Sequence, residues 1–137
     1  MMPRRLTDDQ FAKILDFRVA LRRFGRWSEE QAAKVGLTAG QHQLLIAIRG
    51  HRDSKGPTIR DVADHLLIRH HSAVGLVDRT EHLGLIERHG DEADHRLVRL
   101  RLTPLAETLV SELAAAHLEE LRRLAVILGA LREAGDT

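Results

Sequence analysis

The apolar positions of the chain change period several times, and each change marks an element. Ile14, Phe17, Leu21 and Phe24 recur at spacings of three and four, which puts them on one stripe of a helix. Thr7-Asp8-Asp9-Gln10 precedes them in the form of a capping box, so the pattern predicts a helix from Thr7 to about Lys34, ended by Gly36. A second capping box, Thr38-Ala39-Gly40-Gln41, introduces Leu44, Leu45 and Ile48 on a shorter helix that stops near Gly50. The stretch from Arg52 to Pro57 is loop chemistry. Thr58-Ile59-Arg60-Asp61 repeats the cap, and Val62, Ala63, Leu66 and Leu67 follow as a helix of about two turns. After a break at Ile68-Arg69, another short helix is expected from about His70 to Leu83, with Val74, Val77 and Leu83 inward and Gly84 as its stop.

The period then shortens. Leu85-Ile86-Glu87-Arg88, a polar tip from Gly90 to Asp94, and the alternation Arg96-Leu97-Val98-Arg99-Leu100-Arg101-Leu102 read as a β-hairpin with a charged tip. Thr103-Pro104 starts a last helical region, with Leu105, Leu109 and Leu113 on one face. Leu121, Leu124, Leu128 and Leu131 continue it at the spacing of a helix that packs along a partner helix. Two short helices around a tight turn, followed by a hairpin, form a winged helix-turn-helix, so the expected fold class is mainly α with a small β-hairpin wing.

Composition narrows the function. The chain has 137 residues, enough for a single domain over 1–137 and too few for a second catalytic one. Aromatics are only 3% against 43% hydrophobic residues, so the core must be built from Leu, Val, Ile and Ala. There is no cysteine, which excludes disulfides, thiolate nucleophiles and thiol-based sensing. No apolar run approaches the ~18 residues of a membrane span. The start, Met1-Met2-Pro3-Arg4-Arg5, lacks the apolar core of a signal peptide, so a cytoplasmic protein without a membrane partner is expected. No nucleophile elbow, phosphate loop or metalloprotease motif occurs, so neither an enzyme nor a cofactor is expected. Charge is distributed unevenly: Pro57 to Leu102 carries seven Lys/Arg against eight Asp/Glu, a near-neutral balance that keeps open a winged protein-interaction module without DNA binding.

Several stretches together resemble the MarR family of bacterial repressors, over about Leu6 to Leu131. They are Thr58-Ile59-Arg60-Asp61-Val62-Ala63-Asp64-His65-Leu66, Val74-Gly75-Leu76-Val77-Asp78-Arg79, Gly84-Leu85-Ile86-Glu87-Arg88, Asp94-His95-Arg96 and Leu102-Thr103-Pro104, in the family's order and separations. The resemblance implies a homodimer held by N- and C-terminal helices (7–35 and 104–134) that carries two DNA-binding lobes (38–102). It implies a repressor on an inverted-repeat operator in double-stranded DNA.

A recognition helix reads bases near its N-terminus, which here holds Arg69, His70, His71 and Ser72, with Gly75 one turn along. Many family members carry Ser where Arg69 stands, so this helix is expected to start with a different cap. Gly75 has two readings, a close approach to DNA or packing against the preceding helix. Arg79 either touches phosphate or pairs on the surface with Glu81 or Asp78. Arg96 resembles the wing arginine that enters the minor groove, and Asp78 the aspartate that orients it. The tip also carries Asp91, Glu92 and Asp94, so phosphate contact there should come mainly from Arg96.

Phe11, Phe17, Phe24 and Trp27 read as core residues. The resemblance adds a crevice for a small anionic aromatic effector, which Arg23, Trp27 and His42 would line. His65, His70, His71, His82, His89 and His95 invite a metal reading, and a His-based metal-responsive regulator stays as an alternative. Without cysteine, such a site needs His and carboxylates that converge, and adjacent His70 and His71 point to different parts of the helix surface. No metal site is expected.

Overall fold

The computed structural model describes residues 4–135. Met1, Met2 and Pro3, on which the reading of the chain start rests, and the last two residues of the 1–137 domain lie outside the described residues. Among the described residues the chain forms five helices and one hairpin: α1 (Asp8–Lys34), α2 (Ala39–Gly50), α3 (Ile59–Leu66), α4 (His70–His82), β1 (Ile86–Gly90), β2 (Val98–Leu102) and α5 (Pro104–Gly135). None of these helices is long and apolar enough to cross a membrane.

The expected start signals act as such. Thr7 and Gln10 exchange side-chain-to-backbone hydrogen bonds at 2.9 and 3.1 Å. Thr38 with Gln41, and Thr58 with Asp61, form complete capping boxes. Each cap contributes about 1 kcal/mol. Thr103 caps α5 by accepting from the Ala106 amide at 3.3 Å.

The chain divides into two compact units: the chain up to Gln31 together with the chain from Ala114, and Ala32–Leu113. The second extends beyond 38–102 on both sides because its core does. Leu44, Leu45, Val62, Val77 and Leu100 are fully buried, and Ala32, Leu37, Ala106, Val110 and Leu113 belong to the same cluster. Truncating any of the three leucines to Ala would cost about 2–5 kcal/mol.

Two inward faces are rotated from those expected. On α4 the buried residues are Ala73, Leu76, Val77 and Thr80, while Leu83 sits at the C-cap and is 50% exposed. On α5 the buried positions are Ala106, Val110, Leu113, His117 and Ala134, and Leu105 is 56% exposed. Bulk misled in both cases: Ala73, Thr80 and Ala106 hold the tight contacts, where larger side chains would not fit.

In the first unit α1 and α5 run antiparallel. The Gln10 side-chain amide donates to the Ala134 carbonyl at 3.0 Å, and Ser28 Oγ lies 2.7 Å from His117 Nε2. Phe24, Trp27 and His117 stack around each other with ring centroids 4.7–6.2 Å apart. Phe11, Leu15, Leu21, Leu118, Leu121, Val126 and Leu128 stay largely exposed.

β1 and β2 pair antiparallel from Ile86 opposite Leu102 to Gly90 opposite Val98. The loop before α3 lies beside β2, where the Leu100 amide donates to the Pro57 carbonyl at 2.8 Å. Gly56 has φ +88°, and a Cβ there would stand 2.4 Å from the Leu100 carbonyl oxygen, so no side chain fits. The wing tip is folded around Asp91, whose carboxylate accepts from the Ala93 and Asp94 amides at 3.1 and 2.8 Å and from Arg99 Nε at 3.1 Å.

These bonds, the Asp94 amide first, hold the Asp91 carboxyl below its ordinary value. The stabilisation is therefore complete at neutral pH and is lost as pH falls through 3.8 and below, the window in which only the unfolded tip would first take up a proton. In an acid titration followed by amide NMR, the Ala93 and Asp94 resonances are expected to move in that window, and Asp91→Asn to shift them already at neutral pH. Tip amides indifferent to both changes would show that Asp91 does not hold the turn.

Candidate nucleic-acid interface

α3 and α4 are joined by a very short turn. α3 ends at Leu67 in the left-handed conformation, φ 55° and ψ 42°, with its amide donating to the Ala63 carbonyl. A leucine there costs about 1–2 kcal/mol relative to a right-handed geometry. Its side chain is 90% exposed, so burial does not offset that cost. What the turn achieves is direction: the chain re-enters a helix at His70 after only two intervening residues.

The start of α4 is exposed from Arg69 to Ser72. Arg69 occupies the N-cap with extended backbone and makes no side-chain cap hydrogen bond. A Thr or Ser there would contribute about 1 kcal/mol, so α4 forgoes a stabilisation that α2 and α3 have. Its first amides point outward beside Arg69, His70, His71 and Ser72, with the positive end of the helix dipole behind them. That is an anion-binding arrangement.

Gly75 lies on the same side. A Cβ on it would meet only the Arg79 guanidinium, at 3.2 Å, and nothing of α3. Packing against the preceding helix is therefore not its role. The surface partners considered for Arg79 are both taken by another residue: Arg88 from β1 pairs with Asp78 and with Glu81, the latter at 3.1 Å. Arg79 makes no ion pair among the described residues and lies folded over Gly75.

The wing arginine is oriented from a different place than expected. Asp78 is bonded to Arg88, not to Arg96. Arg96 is 90% exposed, and its Nε and a terminal nitrogen both donate to Asp94, each at 3.1 Å. Asp94 also accepts from the Arg96 amide at 3.0 Å, a local turn that two-residue spacing makes possible. The Arg96 side chain, followed by its amide, keeps the Asp94 carboxyl below the ordinary range. Asp94-x-Arg96 carried this signal in the sequence, whereas nothing there singled out Arg88 as the partner of Asp78.

Arg99 was missed for another reason. It shares a face with Arg101 in the β2 alternation, yet its side chain is only 15% exposed. It reaches the Gly56 carbonyl at 3.2 Å as well as Asp91, with Asp53 at 4.0 Å. A bond to a carbonyl 43 residues away leaves no trace in local pattern.

Of the three residues assigned to an effector crevice, two come together. Arg23 and Trp27 line a groove of about 600 Å³ within the α1–α5 unit, beside Leu15, Phe24, Leu124 and Ile127. His42 is buried on α2 in the winged unit and does not line that groove. Among the described residues no group of three or more histidine, aspartate or glutamate side chains is placed to hold a metal ion.

With this geometry in view, a sequence model of the MarR family matches residues 35–97. No curated protein matches the chain in sequence. Solved structures match its fold. A MarR family transcription regulator, SP03579, is 22% identical over 93% of this chain and 86% of its own, with TM-score 0.75. The MepR–DNA complex of S. aureus is 21% identical over 89% and 85% of the two chains, with TM-score 0.68. A point mutant of MarR from E. coli complexed with operator DNA is 19% identical over 85% of each, with TM-score 0.69. Over residues 35–97, which hold the helix-turn-helix and the first strand of the wing, the chain is similar to the MarR family.

Proposed function

We propose that the chain is a sequence-specific DNA-binding transcriptional regulator: a homodimeric repressor on an inverted-repeat operator, released by a small anionic aromatic effector. The observation that carries the reading is the exposed, uncapped start of α4, where Arg69, His70, His71 and Ser72 surround free helix amides. Such an end fits the major groove, and the outward Arg96 suits the narrow minor groove beside it. Two of the structures that share the fold are DNA complexes, which supports the same reading.

The roles follow from chemistry. Arg69 reads guanine bidentately, and His70, His71 and Ser72 donate to base edges or phosphate. Gly75 permits close approach, and Arg79 can swing from above it to phosphate. Arg96 inserts into the minor groove, presented by Asp94, while Asp78 acts on the wing through Arg88.

Selection of bound duplexes from a random pool should return an inverted repeat with half-sites about ten base pairs apart, one turn of the double helix. Arg69→Ala should weaken binding by about 1–3 kcal/mol, roughly 5- to 150-fold, and relax one base position. Arg96→Ala should weaken binding, most on sites with a narrow minor groove, and reduce the salt slope by about one. A well-folded protein that returns no motif and binds DNA without salt dependence would instead favour a protein-interaction module.

The dimer is supported by the exposed apolar side chains of α1 and α5, more than an isolated helix pair would leave in water. Leu121, 46% exposed, lies on that surface. Leu121→Glu is expected to shift sedimentation to the monomer while leaving helix content intact. An unchanged dimer would place the interface elsewhere.

For the effector, Arg23 supplies the cation and Trp27 the stacking plane within the α1–α5 groove. Aromatic carboxylates that release DNA should quench Trp27 fluorescence, and Arg23→Ala should remove both responses together. Release without any change at Trp27 would put the effector elsewhere.

A further inference from the structure

We propose that His51 and His65 form a two-histidine site for a first-row transition-metal ion. His51 is the C-cap of α2 and His65 lies in the last turn of α3, both in the winged unit. His51 Nδ1 and His65 Nε2 are 2.9 Å apart, and the ring planes meet at 64°. Two neutral imidazoles that face each other this closely share one hydrogen, because two would collide.

Which nitrogen carries it follows from Asp61. On the far side of His51, Nε2 lies 3.8 Å from Asp61 Oδ2. That carboxylate is held in place, accepting from the Thr58 amide at 3.0 Å as part of the α3 cap. Its field favours hydrogen on His51 Nε2 and leaves the lone pair on Nδ1, aimed at His65. The shared hydrogen therefore belongs to His65 Nε2. A metal ion replaces it without loss of a proton overall: His65 moves its hydrogen from Nε2 to Nδ1, and two lone pairs then converge on one point.

The distances suit that exchange. Nitrogens bound to one tetrahedral ion at ~2.0–2.1 Å stand roughly 3.3–3.4 Å apart, so the pair has to open by only about half an ångström. A carboxylate behind a ligating histidine is the usual device for fixing its tautomer. His65 is exposed and His51 borders a surface groove with Asp53 and Glu107, so water can complete the coordination. Imidazole donors favour Cu2+, Ni2+ and Zn2+ over Mg2+ or Ca2+. The ion would tie the end of α2 to α3, the first helix of the helix-turn-helix, and its binding does not depend on the DNA-binding reading.

The full chain, freed of metal by a chelator, can be titrated with Ni2+ and Zn2+ by calorimetry while imidazole 15N resonances are followed. One ion per chain is expected, moving the His51 Nδ1 and His65 Nε2 signals and raising Tm, since the ion binds the folded state. His65→Gln, at an exposed position, should reduce affinity at least tenfold, and Asp61→Asn by about tenfold. Acidification should weaken binding because protons compete for the same lone pairs. Affinity unchanged in His65→Gln, or resonance changes confined to His70, His71, His82, His89 and His95, would overturn the proposal.

Discussion

The presentation of the wing depends on one guanidinium. Arg99 sits where only 15% of its side chain meets solvent, and a cation there is tolerable only if its donors find acceptors. It finds them in two separate segments: the Gly56 carbonyl and, more distantly, Asp53 in the loop before α3, and the Asp91 carboxylate at the wing tip. The consequences run in both directions along the chain. The loop before α3 must come flush against β2, which is why Gly56 takes a backbone that no side chain could share. Asp91, drawn inward, leaves its second oxygen to gather the Ala93 and Asp94 amides, and Asp94 in turn holds Arg96. An arginine that is 90% exposed is thus aimed through one that is only 15% exposed.

The helix-turn-helix shows a complementary use of stability. α2 and α3 begin in complete capping boxes that fix these helices on the core. α4 begins without a cap, after a leucine in the left-handed region. Together these forgo about 2–3 kcal/mol, a substantial part of what a small domain has in reserve. Local choices that run against stability are expected where the chain must meet something else. The rest of the unit supplies the margin through Leu44, Leu45, Val62, Val77 and Leu100.

Much of this was legible because caps and periods are local. Thr7, Thr38, Thr58 and Thr103 each marked a helix start, and Gly84, with φ +77°, marked the end of the helix-turn-helix. Inward faces were less legible. Leu83 and Leu105 have the right bulk but the wrong azimuth, and the small residues Ala73 and Ala106 hold the positions of closest packing. The partners of charged side chains were least legible. Asp78 has Arg79, Arg88 and Arg96 within a short stretch of sequence, and only the packing of β1 against α4 brings Arg88 to it. His51 and His65 lie on separate elements, and their meeting depends on how α3 crosses the end of α2.

Charge counted along the sequence also differs from charge presented in space. Between Pro57 and Leu102 the tally is seven basic against eight acidic residues, which taken alone argues against a nucleic-acid partner. Four of those carboxylates, Asp78, Glu81, Asp91 and Asp94, are paired with three arginines, Arg88, Arg99 and Arg96; a fifth, Glu87, lies 3.3 Å from His89, and a sixth, Asp61, caps α3. Asp64 and Glu92 remain without ion pairs among the described residues, against Arg60, Arg69, Arg79 and Arg101. Acidic residues in this lobe act mainly as struts for arginines and as caps, and beyond a Debye length of ~8 Å exposed charges are largely screened. The unpaired cations Arg69 and Arg79 both belong to α4 or its cap. A lobe nearly neutral by count can therefore turn a positive edge toward a phosphate backbone, and that edge coincides with the one helix start left uncapped.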